Sequence, residues 1–167
     1  MALRRLRELR RRDSQRLLAW SLLTILKAEY LLRATSLMNL LKRFGERPDR
    51  SVLPPEDPPS PNGDSLDRLW RYSNFIARIL LRSRRPCLLR SLTLYRHCRE
   101  HGAPASIHFG IKHGDGGLQG HSWVSLQGTP LFETPESLQS YAVIYSYPED
   151  QRPFDLDRSL RTVKELP

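Results

Sequence analysis

The chain has 167 residues, 39% hydrophobic content and a formal net charge of +9, a size that suits one domain with an extension. Two cysteines cannot build a disulfide framework. The apolar run Leu17 to Leu26 is about half the ~20 residues a membrane-spanning helix needs. No small-residue cleavage site follows that run, so the Arg-rich start does not read as a signal peptide, and a cytoplasmic protein is expected.

Residues 1–45 form a basic helical extension. The first twelve residues hold six arginines against Glu8, and apolar residues recur with helical period over 13–44, with a break at Thr35-Ser36. The basic arm invites acidic partners. With no recognition-helix or Gly-aromatic signature nearby, nucleic acid is not the expected one. Two readings of the Leu-rich helix stay open: contact with an anionic membrane surface, giving a peripheral location, or cover for a small core. Residues 46–64 are a linker with six prolines, incompatible with a long helix.

The core is expected at 65–147. Asp64 or Ser65 can cap a helix whose Leu66, Leu69, Trp70, Ile76, Ala77 and Leu80 share one face. Pro86 starts a second helix near Cys87 that runs to about Glu100 and stops at Gly102. At about 100° per residue, Cys87, Leu88, Ser91, Leu94, Tyr95 and Cys98 fall in one inward arc, with Arg90, Arg96 and His97 outside it. The period then changes to two. Ala105, Ile107, Phe109 and Ile111 alternate with Ser106, His108 and Gly110 in a strand. His113 to Gly120, with four glycines, is expected to be a loop. His121 to Ser125 and Thr129 to Glu133 form a hairpin around Leu126, Gln127 and Gly128. Thr134-Pro135 starts a short helix, and Ala142 to Tyr147 is a further strand. Residues 148–167 are a charged tail. Helices followed by an antiparallel sheet give an α+β fold.

Two of these elements carry chemistry. Cys87 lies in the first turn of its helix, where the positive end of the dipole and unpaired N–H groups favour a thiolate over a thiol of pKa roughly 8.5. If Gly128 closes a three-residue loop, His121 opposes Glu133, at the roughly 5 Å Cβ separation of cross-strand pairs. A thiolate, an imidazole that moves its proton and a carboxylate that orients the imidazole make a cysteine peptidase constellation: Cys87, His121 and Glu133. Cys98 reads as core. His97 and His101 read as solvated and His108 as a half-exposed filler, and the five scattered histidines build no metal site. No cofactor is expected.

The ordered set Pro86-Cys87-Leu88-Leu89-Arg90-Ser91-Leu92, Gly102, Ile107 to Ile111, His121-Ser122-Trp123-Val124, Gly128, Pro130-Leu131 and Glu133 resembles the transglutaminase-like leader peptidases of lasso-peptide biosynthesis, over roughly residues 65 to 147. The resemblance implies a bacterial enzyme with a papain/transglutaminase-like core, its nucleophile helix packed on the antiparallel sheet. That enzyme removes the leader of a ribosomally made precursor so that a separate cyclase can close the macrolactam. Cys87 would be nucleophile, His121 general base and then acid, and Glu133 the orienting group, where the family commonly has Asp. Fused family members carry a winged-helix leader-recognition domain at the N-terminus. Only helix is read there in this chain, so the resemblance is to the standalone form that depends on a separate leader-binding protein. Two alternatives remain: a transglutaminase-type acyl transferase passing the same thioester to an amine, and a non-catalytic adaptor that binds precursor.

Overall fold

The computed structural model describes residues 2–46, 63–114 and 117–148, with side chains from Arg12 onward. The proline-rich linker and the charged tail lie outside the described residues apart from Glu46, Gly63, Asp64 and Pro148, as do the side chains of the first eleven residues. The chain forms two compact units that divide between Ala103 and Pro104. Helices come first and an antiparallel sheet follows, as an α+β fold requires.

In the first unit, α1 (Ala2–Ala34) and α2 (Leu37–Gly45) are separated where the sequence breaks. Ser36 is extended at φ −70°, ψ 152°, and its hydroxyl accepts from the Asn39 N–H at 3.3 Å, satisfying an orphan donor of α2. At the other end of α2, the Arg99 guanidinium donates to the Gly45 carbonyl at 3.2 and 3.3 Å, so a cation serves the helix end where carbonyls lack partners. α3 (Gly63–Phe75) passes into one wider turn of π-helix over Ile76–Leu80. Ile76 and Ala77 stay buried, but the wider turn rotates the register and leaves Ile79 and Leu80 exposed. The expected place of Leu80 on the inward face is thereby corrected.

α4 (Pro86–Glu100) is the centre of this unit. Leu89, Leu92 and Tyr95 have no exposed surface, and each such side chain contributes about 1.5–3 kcal/mol relative to exposure. Helical periodicity places Arg90, Arg96 and His97 outside the inward arc. All three are instead covered, because α1, α2 and α3 pack around α4 from several sides. Arg96 lies over the Trp20 and Phe44 rings at 5.5 and 5.2 Å and pairs with Glu100 at 2.6 Å. Its stem and charge are thus both used. His97, read as solvated, is buried with its ring edge-on to Trp20 at 5.3 Å. Burial, aided by neighbouring His101, lowers its pKa to about 4 and keeps the ring neutral at physiological pH. Gly102, at φ 75°, ends the helix as expected. Among the described residues no helix is long and apolar enough to cross a membrane.

The second unit is a sheet of order β3-β2-β1-β4, antiparallel throughout. Its strands are β1 (Ala105–Gly114), β2 (Gly117–Leu126), β3 (Thr129–Pro130) and β4 (Ala142–Tyr147). The expected loop at His113 to Gly120 is mostly strand: His113 pairs with Leu118 and Gly114 with Gly117, so only residues 115 and 116 connect the two. Continuing the β1–β2 ladder satisfies the backbone groups of this glycine-rich stretch, and pairing prevails over composition. The short helix α5 (Pro135–Gln139) begins as read, with the Thr134 hydroxyl accepting from the Ser137 N–H at 3.2 Å.

Candidate active site

Cys87 is the second residue of α4, after Pro86 at the first helical position. The proline has no N–H to lose there and its fixed φ starts the helix. No side chain caps this turn: Arg85, at φ −129° and ψ 53°, makes no capping hydrogen bond. The sulfur sits in the first turn, at the positive end of the helix dipole. Cys87 is half-buried, whereas Cys98 has no exposed surface and burial pushes its thiol up to about 12. Cys98 is a core residue, as read, and is inert as a nucleophile at neutral pH.

The imidazole and the carboxylate belong to the second unit. His121 Nε2 lies 3.2 Å from Glu133 Oε1, and both side chains are about four-fifths covered. A carboxylate can only accept, so the Nε2–H donates and the pair fixes the tautomer. The expected contact is present and so is the hairpin, but the three-residue loop expected to create the contact is a two-residue turn. Gln127 and Gly128 both take positive φ, 51° and 85°, giving the two-residue turn whose twist suits antiparallel strands. Ser125 consequently opposes Pro130 rather than Thr129. Continued, that register would set His121 opposite Thr134. The ladder stops first. Leu131 N–H still donates to the Val124 carbonyl at 2.8 Å, and Phe132 then turns the chain at φ 59°. Glu133 thus reaches His121 from beyond the strand end. The left-handed Phe132 costs roughly 1–2 kcal/mol, which the surrounding contacts must offset.

Aromatic rings set the plane of the imidazole. His121 stacks on Trp123, two residues along the same face, with centroids 6.0 Å apart and an interplanar angle of 23°, and meets Tyr141 at a tilt of 34° with centroids 5.2 Å apart. Trp123 also stacks on His108, at 5.6 Å. His108 is tied on both ring nitrogens, to Ser125 Oγ at 2.7 Å and Ser146 Oγ at 2.8 Å, which links three strands. It is therefore a structural brace rather than a filler. Gly110 pairs directly with His121 across the ladder. A Cβ there would lie 3.0 Å from the Trp123 ring and 3.1 Å from Tyr141 Cβ, so any larger residue would push on rings that glycine lets close over the strand. The two-residue period made Trp123 readable as a same-face neighbour of His121. Nothing local in the sequence signalled Tyr141 or the need for glycine at position 110.

A thiol in the first turn of a helix, and an oriented imidazole on an antiparallel sheet in the same chain, are the parts used by cysteine peptidases and thiol-dependent acyl transferases. The Transglutaminase-like superfamily matches residues 22–146, more than half of the chain, and the chain belongs to that superfamily. The match begins inside α1, upstream of the segment that carries the sequence motifs. No curated protein and no solved structure matches the chain.

Proposed function

We propose that this chain is a cysteine peptidase that removes the leader from a ribosomally made lasso-peptide precursor. In this reading it works with a separate leader-binding protein, ahead of a separate cyclase. The observation that supports it most is the His121–Glu133 pair at 3.2 Å in a chain of this superfamily, because an oriented imidazole is what turns a helix-start thiol into a catalyst.

Cys87 Sγ, as thiolate, attacks the scissile carbonyl carbon, and the new oxyanion accepts from the Cys87 N–H. The C–N bond breaks as His121 gives its proton to the departing amine of the core peptide. That leaves a thioester between Cys87 and the leader. Neutral His121 then takes a proton from water, and the hydroxide adds to the thioester carbonyl. The C–S bond breaks to release the leader acid, and the proton returns to sulfur. With Nε2 engaged by Glu133, proton transfer runs through Nδ1.

Mass spectrometry of a precursor peptide incubated with this chain and its leader-binding partner tests the reading, with a primary amine present in a parallel sample. One defined cleavage, lost in Cys87→Ala and His121→Ala, supports it. A product mass increased by the amine identifies acyl transfer instead. Cleavage that survives Cys87→Ala removes the nucleophile and leaves an adaptor role.

A further inference from the structure

Immediately before the proposed nucleophile, the first unit contains a cavity of about 540 Å³ that the reaction above does not use. This volume lies within the range of small-ligand pockets. One wall is apolar, from Leu26, Tyr30 and Leu81. The rim is cationic, from Arg33 on α1 and from Arg82, Arg84 and Arg85 in the segment that leads into α4. Its single carboxylate is already engaged: Ser83 Oγ donates to Glu29 Oε1 at 2.9 Å, and Arg33 lies 4.0 Å from Glu29 Oε2. Among the described residues no carboxylate pairs with Arg82, Arg84 or Arg85.

The cationic segment is built rather than loose. Leu81 N–H donates to the Ile76 carbonyl and Ser83 N–H to the Ala77 carbonyl, both at 2.9 Å, while Arg85 N–H donates to Ser83 Oγ at 3.1 Å. Arg82 is held at φ 46°, a left-handed conformation that an L side chain adopts only when its surroundings impose it. Three arginines are thereby brought to the lining of one cavity, a concentration of like charge that an anionic ligand relieves.

We propose that this cavity is a subsite for an acidic stretch of the peptide substrate, with Asp or Glu carboxylates on the arginines and an apolar side chain against Leu26 and Tyr30. The proposal rests on the peptidase reading for its substrate. Arg85 is two residues from Cys87, so their Cα atoms are separated by no more than about 7 Å. A peptide whose scissile carbonyl lies at Cys87 and which extends by about 3.3 Å per residue meets the arginines within roughly four residues of the cleaved bond. The acidic residues are expected in that window.

The test uses full-length Cys87→Ala protein, which binds without turnover, and two fluorescein-labelled probes: Glu-Leu-Glu-Leu-Glu and its counterpart with Gln for every Glu. Fluorescence anisotropy should show the acidic probe binding at least about tenfold more tightly. Arg84→Glu with Arg85→Glu should abolish that preference, while the same charge change at exposed Lys42 and Arg43 on α2 leaves it intact. Arg33→Gln, at a side chain 81% exposed, should weaken the acidic probe without a folding defect. Equal binding of both probes, or a preference that survives the Arg84/Arg85 reversal, overturns the proposal. Vesicles of phosphatidylserine and phosphatidylcholine are the second arm: if the cavity variants lose vesicle binding while acidic-probe binding is unchanged, the site serves a membrane surface and the peptide proposal fails. Acidic-probe binding in a chain whose wild type cleaves no precursor would keep the subsite and remove the peptidase reading instead.

Discussion

The two ends of α4 treat the same functional group in opposite ways. Cys87 lies in the first turn, half-buried, at the positive end of the helix dipole. Cys98 is eleven residues on, about 16 Å along the axis, with no exposed surface and a thiol pushed up to about 12. Next to it His97 is also held neutral, with its pKa lowered to about 4. One end of the helix favours an anion at Cys87, while the other holds Cys98 and His97 uncharged. Residue type therefore says little about reactivity here, and position along the helix together with what covers it says most.

Removing each sulfur in turn is the most direct way to break this contrast. Cys87→Ala should reduce precursor cleavage by at least about a thousandfold, while Cys98→Ala should keep activity within about twofold and lose roughly 1 kcal/mol of stability to the small cavity left behind. Iodoacetamide at pH 7 followed by peptide mapping adds an independent readout: Cys87 is expected to alkylate and Cys98 to resist until the chain unfolds. Comparable labelling of both thiols would end the comparison.

The charge-suppressing end predicts an acid sensitivity. The unfolded chain binds a proton on His97 near pH 6.5, whereas the folded chain binds it only near 4. Between those values the unfolded state carries more protons, so stability is fully present above about pH 6.5 and is lost as pH falls toward 4, by up to roughly 3 kcal/mol. Urea titrations of wild type and His97→Gln across that range check this, and a variant with the same acid sensitivity would remove His97 as the cause.

Smaller effects sharpen the picture at the imidazole. Glu133→Gln keeps the shape and loses the charge, with an expected fall in kcat of roughly 30-fold and little change in KM, whereas Glu133→Asp should recover part of the loss. Gly110→Ala should cost about 1–3 kcal/mol through overpacking against Trp123. Because Trp123 stacks on His121, that variant should also lower kcat by about threefold to tenfold. Thermal unfolding and steady-state kinetics on the same samples separate the two effects.

What the sequence disclosed follows from whether the signal was local. The break before Ser36, the start at Pro86, the stop at Gly102 and the Thr134 cap each depend on a residue and its immediate neighbours, and all four are found in the structure. The errors needed information from elsewhere in the fold. Packing against the Trp20 ring of α1 covers His97, a π turn decides that Leu80 is exposed, and a two-strand ladder overrides the glycines between His113 and Gly120. The hairpin reading missed because Gln127 joins Gly128 at positive φ, and no sequence rule at glutamine announces that. The His121–Glu133 contact was nevertheless anticipated, by an argument whose register was off by one. Trp123 and Tyr141, which hold the imidazole from the side, were not recognised as doing so.

Glu133's place beyond the end of β3 has a consequence for how such chains diverge. A residue inside a ladder can move only in whole steps, and each single step carries its side chain to the opposite face. Phe132 and Glu133, past the last cross-strand hydrogen bond at Leu131, are outside that constraint. Their backbone can relax to take a shorter or longer acid, or one more or one fewer residue, while the sheet keeps its pairing. When related sequences are searched for the third group of this site, a fixed spacing from the histidine is therefore the wrong filter. An acid of either length within a residue or two of the strand end would be equally admissible.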